Sequence, residues 1–98
     1  MFWAKVYGVK EEIVVAICDE DLLDKTLNFK DKVEVKISKG FYGDRHVDET
    51  VVLRLLDKAT IANLMGKNVV SLAKKNGFIT QENIINIDGT PHAQFAKM

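Results

Sequence analysis

The sequence predicts an α+β fold. The expected architecture is a single small domain with a mixed, mostly antiparallel sheet and about three helices, in the order ββαβααββ. Three observations lead there. Apolar residues alternate with period two near both ends of the chain, and they recur with helical spacing between those ends. Strands and helices also lack the regular βαβ alternation of a doubly wound sheet. The 98 residues form one domain, residues 1–98, without internal repeat or linker. A content of 47% hydrophobic and 29% charged residues gives the chain a real core and sets it apart from disordered sequences.

The elements follow in order. Phe2, Ala4 and Val6 alternate with Trp3, Lys5 and Tyr7, the mark of a half-buried strand. A turn at Gly8–Glu11 leads into Ile13–Cys18, which is apolar on both sides, like a strand covered on both faces. The two strands pair as a hairpin. Asp19, Glu20 and Asp21 then open a short helix to about Leu27, because acids cap free N–H groups and meet the positive end of the helix dipole. Lys32–Ser38 alternates again, with Val33, Val35 and Ile37 turned inward. Lys39–His46 reads as a glycine-bracketed loop. Asp48 caps a helix to about Ala59 through Val51, Val52, Leu55 and Leu56. Thr60 caps a further helix, or the first continues through it, on a stripe of Ile61, Met65, Val69, Leu72 and Ala73. Gly77 ends that helix, with Phe78 folding back toward Ala73. Strands at 84–87 and 92–97 close the chain as a hairpin around Asp88-Gly89, where Gly89 reaches positive φ without a Cβ clash.

Charge narrows the function classes. Fourteen basic residues balance fourteen acidic ones, so the chain is not a protein held to nucleic acid by bulk charge. The balance is uneven, however. Residues 30–46 carry five basic against three acidic groups, and residues 67–98 carry four against two. Local basic patches are therefore open to a neutral protein. A single cysteine forms no internal disulfide, which points to a reducing cytoplasm, and no apolar run is long enough to span a bilayer.

Four segments hold candidate chemistry. Pro91 fixes φ before His92, so the imidazole is presented from a stiffened backbone, and Gln94 lies on the same side of the last strand. Imidazole and carboxamide together suit a base, a phosphate or a polar small molecule; the bland alternative is a polar outer face of a hairpin. The Gly40–His46 loop joins Phe41 and Tyr42 to Lys39 and Arg45, an aromatic-basic mixture that can stack bases and hold phosphates. The alternative is that these rings simply anchor the loop. In Ala62-Asn63-Leu64-Met65-Gly66, small residues four apart allow a close approach, and Asn63 is either a hydrogen-bonding brace or a surface residue. Cys18 ends a strand before a helix start, but the acids that follow oppose a thiolate, so an inert thiol is expected. Cys18, His46 and His92 share no metal-ligand spacing, and no phosphate-binding, dinucleotide or nucleophile-elbow motif is present. No metal, cofactor or catalytic set is expected.

Four strings carry a resemblance: Val14-Val15-Ala16-Ile17-Cys18-Asp19-Glu20, Gly40-Phe41-Tyr42, Ala59-Thr60-Ile61-Ala62-Asn63-Leu64-Met65-Gly66 and Gly89-Thr90-Pro91-His92-Ala93-Gln94. Across essentially its whole length the chain resembles an archaeal family known only as domain of unknown function 424. The resemblance implies an archaeal, intracellular protein and carries no catalytic roles with it.

The leading functional expectation is a non-catalytic binding module with RNA or a ribonucleoprotein as partner. It uses Lys39, Phe41, Tyr42, Arg45, His92 and Gln94, with Gly66, Gly77, Gly89 and Pro91 shaping the backbone. One rival is a small-ligand protein or enzyme whose site around His92 is completed at a subunit interface. Another is a protein–protein adaptor that uses Trp3 and Tyr7.

Overall fold

The structure, a computed structural model, describes residues 1–97. Two strands, β1 (Phe2–Val9) and β2 (Glu12–Asp19), form the expected N-terminal hairpin. A single 3-10 turn at Glu20–Leu22 leads to a second hairpin, β3 (Thr26–Phe29) with β4 (Val33–Lys36). A one-turn helix α1 (Lys39–Tyr42) and a short strand β5 (Arg45–Val47) follow. Next come α2 (Glu49–Lys58), β6 (Ile61–Met65), α3 (Lys67–Lys75), β7 (Ile84–Ile87) and β8 (Thr90–Ala96). Six strands make one sheet in the order β5-β1-β2-β6-β8-β7, and β3-β4 stands apart as its own two-stranded sheet. Among the described residues, only β2 and β6 run parallel; every other pairing is antiparallel.

Both longer helices lie on one face of the large sheet. Val52 and Leu56 of α2, with Val69, Val70, Leu72 and Ala73 of α3, pack on Phe2, Ala4, Val15, Ile17, Ala62, Leu64 and Ala93. Alternation along each strand sends the next residues to the opposite face. There Cys18, Ala16 and Met65 meet Leu27 and Ile37 from the β3-β4 region. The small hairpin is thus a lid on the face that the helices leave bare.

Several local expectations hold in detail. The Asp48 carboxylate accepts from Val51 N–H at 3.0 Å and caps α2. At the end of α3, Gly77 has φ 80°. Gly77 N–H donates to Lys74 O at 3.1 Å and Phe78 N–H to Ala73 O at 2.9 Å, the paired bonds of a Schellman close. Asp88 and Gly89 both have positive φ, as a two-residue type I′ hairpin turn requires.

Other segments differ from expectation. No helix runs from Asp19 to Leu27. Asp24 N–H donates to Ile37 O and Ile37 N–H to Lys25 O, so this stretch is drawn into the lid. Residues 61–65 are a central strand, where the spacing of Ile61 and Met65 had suggested a helix. Alanine, leucine and methionine favour helices, but β2 needs a neighbour, and pairing with it overrides that preference. The Gly40–His46 loop is part helix and part strand. Val33 lies exposed on the lid instead of inward. The last strand begins at Thr90 and includes Pro91.

Candidate functional site

The lid covers only part of its face. Outside it, Ile61 of β6 is 37% exposed, and Ile85 of β7, in register with His92 and Met65, is 49% exposed. Between them runs a polar row. Asn63 stands opposite Gln94 in the β6–β8 register, and His92 follows Gln94 on the same side of β8. Asn83, Ile85, His92 and Gln94 line an open depression of about 230 Å³.

The row is braced from within. Tyr42 is 4% exposed and its hydroxyl donates to Asn63 Oδ1 at 2.7 Å. That bond fixes the carboxamide of Asn63, leaving its NH2 as the free end. Burial pushes the Tyr42 phenol above its ordinary pKa, which keeps it a donor. Phe41 packs edge-on against Tyr42 and lies tilted against Tyr7, with ring centroids 4.8 and 5.8 Å apart. Tyr7 donates to Phe41 O at 2.7 Å, and Lys5 Nζ donates to Gly40 O at 2.8 Å. These contacts tie α1 to the edge of the open area and leave Phe41 38% exposed.

His92 is half-buried, and desolvation lowers its pKa below the ordinary imidazole value. The Leu64 backbone carbonyl opposes that shift, although Nδ1 is buried without a partner at hydrogen-bond geometry. Gln94 Nε2 lies 3.3 Å from His92 Nε2. With the amide donating, the proton of the neutral ring sits on Nδ1. The row therefore offers amide and imidazole groups with no net charge.

The other expected residues fall as follows. Lys39 is exposed at the start of α1. Arg45 pairs with Ala4, and alternation places it with Val47 toward the helix-bearing side, away from Phe41. Tyr42 is buried as a brace and has no face to offer a base. His46 pairs instead with Glu20, and its ring lies 4.9 Å from Trp3. Cys18 is fully buried, and its thiol is pushed up to about 12 by desolvation first and by Asp19 and Asp21 second. Among the described residues, no three His, Cys, Asp or Glu side chains converge on a common point.

Asp19 is the residue whose role the sequence did not reveal. Its acid was read as starting a helix in its own segment. It is 3% exposed and caps a different helix, accepting from Asn68 N–H at 2.9 Å and Val69 N–H at 2.8 Å at the start of α3. Desolvation raises its pKa, and the two backbone bonds pull the other way. Gly66 makes this possible. It has φ +121°, and a Cβ there would sit 2.4 Å from Asp19 Cγ. The close approach expected at Gly66 is thus to a carboxylate, and Gly66 is the N-cap of α3 instead of a helix-interior residue. The one signal in the sequence was a glycine directly before a helical pattern, with an acid at the end of a buried strand.

The strings that carry the family resemblance meet where β2, β6 and β8 lie side by side. Cys18 pairs with Met65, Met65 pairs with His92, and Gly66 N–H donates to Pro91 O at 2.9 Å. The Tyr42–Asn63 bond adds the remaining string, Gly40-Phe41-Tyr42. The model for "Protein of unknown function (DUF424)" matches residues 7–98. The chain belongs to the DUF424 family. The fold of this DUF424 chain is similar to the crystal structure of an uncharacterized conserved protein from Methanopyrus kandleri, with a TM-score of 0.82 and 23% identity, covering 99% of this chain and 93% of that one. At that identity the likeness is one of fold. No curated protein matches the chain. Among the described residues, no helix is long and apolar enough to cross a membrane.

Proposed function

We propose that this DUF424 protein is a non-catalytic binding module that takes single-stranded RNA on the uncovered end of its sheet. The observation that carries the reading is the Asn63–Gln94–His92 row, lying open beside Phe41 and between Ile61 and Ile85. Carboxamides and imidazole pair with the polar edges of unstacked bases, and an exposed phenyl ring gives a base something to stack on. Lys5 and Lys39 flank the aromatic end and supply positive charge there. Tyr42 contributes by holding Asn63, and Arg45 lies outside this surface.

The overall charge is neutral, which gives RNA no bulk attraction, so the positive charge that meets phosphates has to come from local groups. The buried Cys18 thiol, held protonated by desolvation, is poorly suited to act as a nucleophile, which favours binding over thiol chemistry. Fluorescence anisotropy with labelled single-stranded RNA tests the reading. The parent should bind, and Phe41→Ala should weaken binding by about 1–3 kcal/mol with little change in salt dependence, as stacking predicts. Gln94→Ala should weaken it as well. No binding by the parent, or binding indifferent to both substitutions, rejects the proposal.

A further inference from the structure

A second groove lies across strand β7 from the polar row. Ile85 points to the open face, whereas Ile84 and Asn86 point to the helix-bearing side. There, β7 and α3 enclose a groove of about 280 Å³ that includes Lys67, Ser71, Lys74, Gln81 and Asn86. No acidic residue lines it. Lys67, Ser71 and Lys74 fall at positions i, i+4 and i+7, so they form one stripe, with the two ammonium stems about 10 Å apart along the axis. Helix α3 carries no acid between Lys67 and Lys75.

The charge in this groove is available. Lys74 donates to the neutral Gln81 at 2.7 Å, and the only ion pair among the described residues is His46 with Glu20. The acids around it face away from the groove. Asp19 and Asp21 line a neighbouring cleft that Lys67 also borders, where Lys67 acts on an Asp19 carboxylate committed to the α3 backbone, and Glu82 follows Gln81 without lining the groove. Two lysines flanked by hydroxyl and amide groups, with no countercharge in the lining, form a surface complementary to a polyanion.

We infer that the α3–β7 groove holds the phosphate backbone of the same single strand whose bases lie on the polar row. The inference rests on the RNA reading of that row and extends it around the sheet edge. Two features select a nucleic acid over an acidic peptide. The groove and the row share β7, a strand only four residues long, so one extended chain can engage both. The row also offers amide and imidazole groups that both donate and accept, which matches the mixed donor and acceptor edges of bases, whereas a carboxylate can only accept.

The test is salt-dependent anisotropy with the full chain and a labelled oligouridylate. The double variant Lys67→Gln/Lys74→Gln should bind more weakly, and its slope of log affinity against log salt should fall by about 1.4, that is about 0.7 for each lost phosphate contact on a single strand. The control double variant Lys30→Gln/Lys32→Gln removes the same charge from the lid turn and should keep the parent slope. All four lysines are exposed, so folding should be retained, and thermal unfolding checks that. An unchanged slope in the groove variant, or an equal loss in the control, overturns the groove while leaving the row intact. A groove variant with reduced slope beside indifferent Phe41→Ala and Gln94→Ala variants overturns the row instead. Displacement of the RNA by polyglutamate at matched charge overturns the choice of a nucleic acid. Failure of the parent to bind overturns both proposals.

Discussion

The covered and open parts of the lidded face meet along a diagonal, so that each strand has a dry end and a wet end that differ in what covers them. On β6, Met65 is 2% exposed and Ile61 37%. On β7, Ile87 is 5% exposed and Ile85 49%. On β2, Cys18 is buried and Val14 only partly so. Each strand passes from dry to wet within two to four residues on one face, because the β3-β4 lid stops part-way along the sheet. Apolar residues at the wet end contribute little to folding there, yet they border the polar row. The dry end supplies stability, and the wet end is where a partner has something to gain.

Substitutions that truncate equivalent positions at the two ends should separate them most strongly. Met65→Ala should cost about 2–5 kcal/mol, as for other buried large-to-small changes. Ile61→Ala, four residues away on the same face, should cost under about 1 kcal/mol. Urea unfolding of both variants makes the comparison; similar losses would mean that the open end is covered in solution. A loss of similar size is expected at Gly66, the residue after Met65. Gly66→Ala forces a Cβ into the Asp19 carboxylate and places alanine at φ +121°. The backbone strain alone is worth about 1–3 kcal/mol, and amide exchange should rise first in the opening turn of α3.

The smallest expected effect is the titration of His92 at the wet end. Burial lowers its folded-state pKa below the ordinary 6.5. As acid is added, the unfolded chain therefore takes up the proton before the folded one. His92 thus contributes stability that is fully present above about pH 6.5 and is lost as pH falls through the folded-state value. His92→Gln should flatten the dependence of stability on pH in that window. Ring resonances of His92 that titrate at or above the ordinary value would show that the wet end is better hydrated than its packing implies.

What could be read from the sequence follows the range over which each signal acts. The Asp48 cap, the Gly77 close and the Asp88-Gly89 turn depend on neighbours within a few residues, and each is visible in the chain. His92 and Gln94 could be placed on one side of a strand for the same reason. Strand β6 could not, because its five residues have helix-forming composition and become a strand only against β2. Asp19 was misread because its partners, Asn68 and Val69, lie 49 and 50 residues away. Tyr42 looked like an exposed stacking ring beside Phe41. Its partner Asn63 belongs to the strand that the sequence disguised, so its role as a brace was hidden too. Arg45 looked like a neighbour of Phe41 until pairing with Ala4 fixed which way it faces.

The capping of α3 by Asp19 also sets an order of assembly. A nine-residue helix with glycine at its N-cap is too short to persist alone in water. Its missing cap is carried by β2, which is synthesised long before it. Until β6 docks beside β2, the first turn of α3 has only water to accept from its free N–H groups. A C-terminal fragment that begins after residue 60 lacks that acceptor. In the full chain the N-terminal hairpin can form early from local contacts and then act as the template on which α3 becomes stable. The pairing of β2 with β6 is a closure across about forty residues that no local signal assists, and α3 depends on it for its cap.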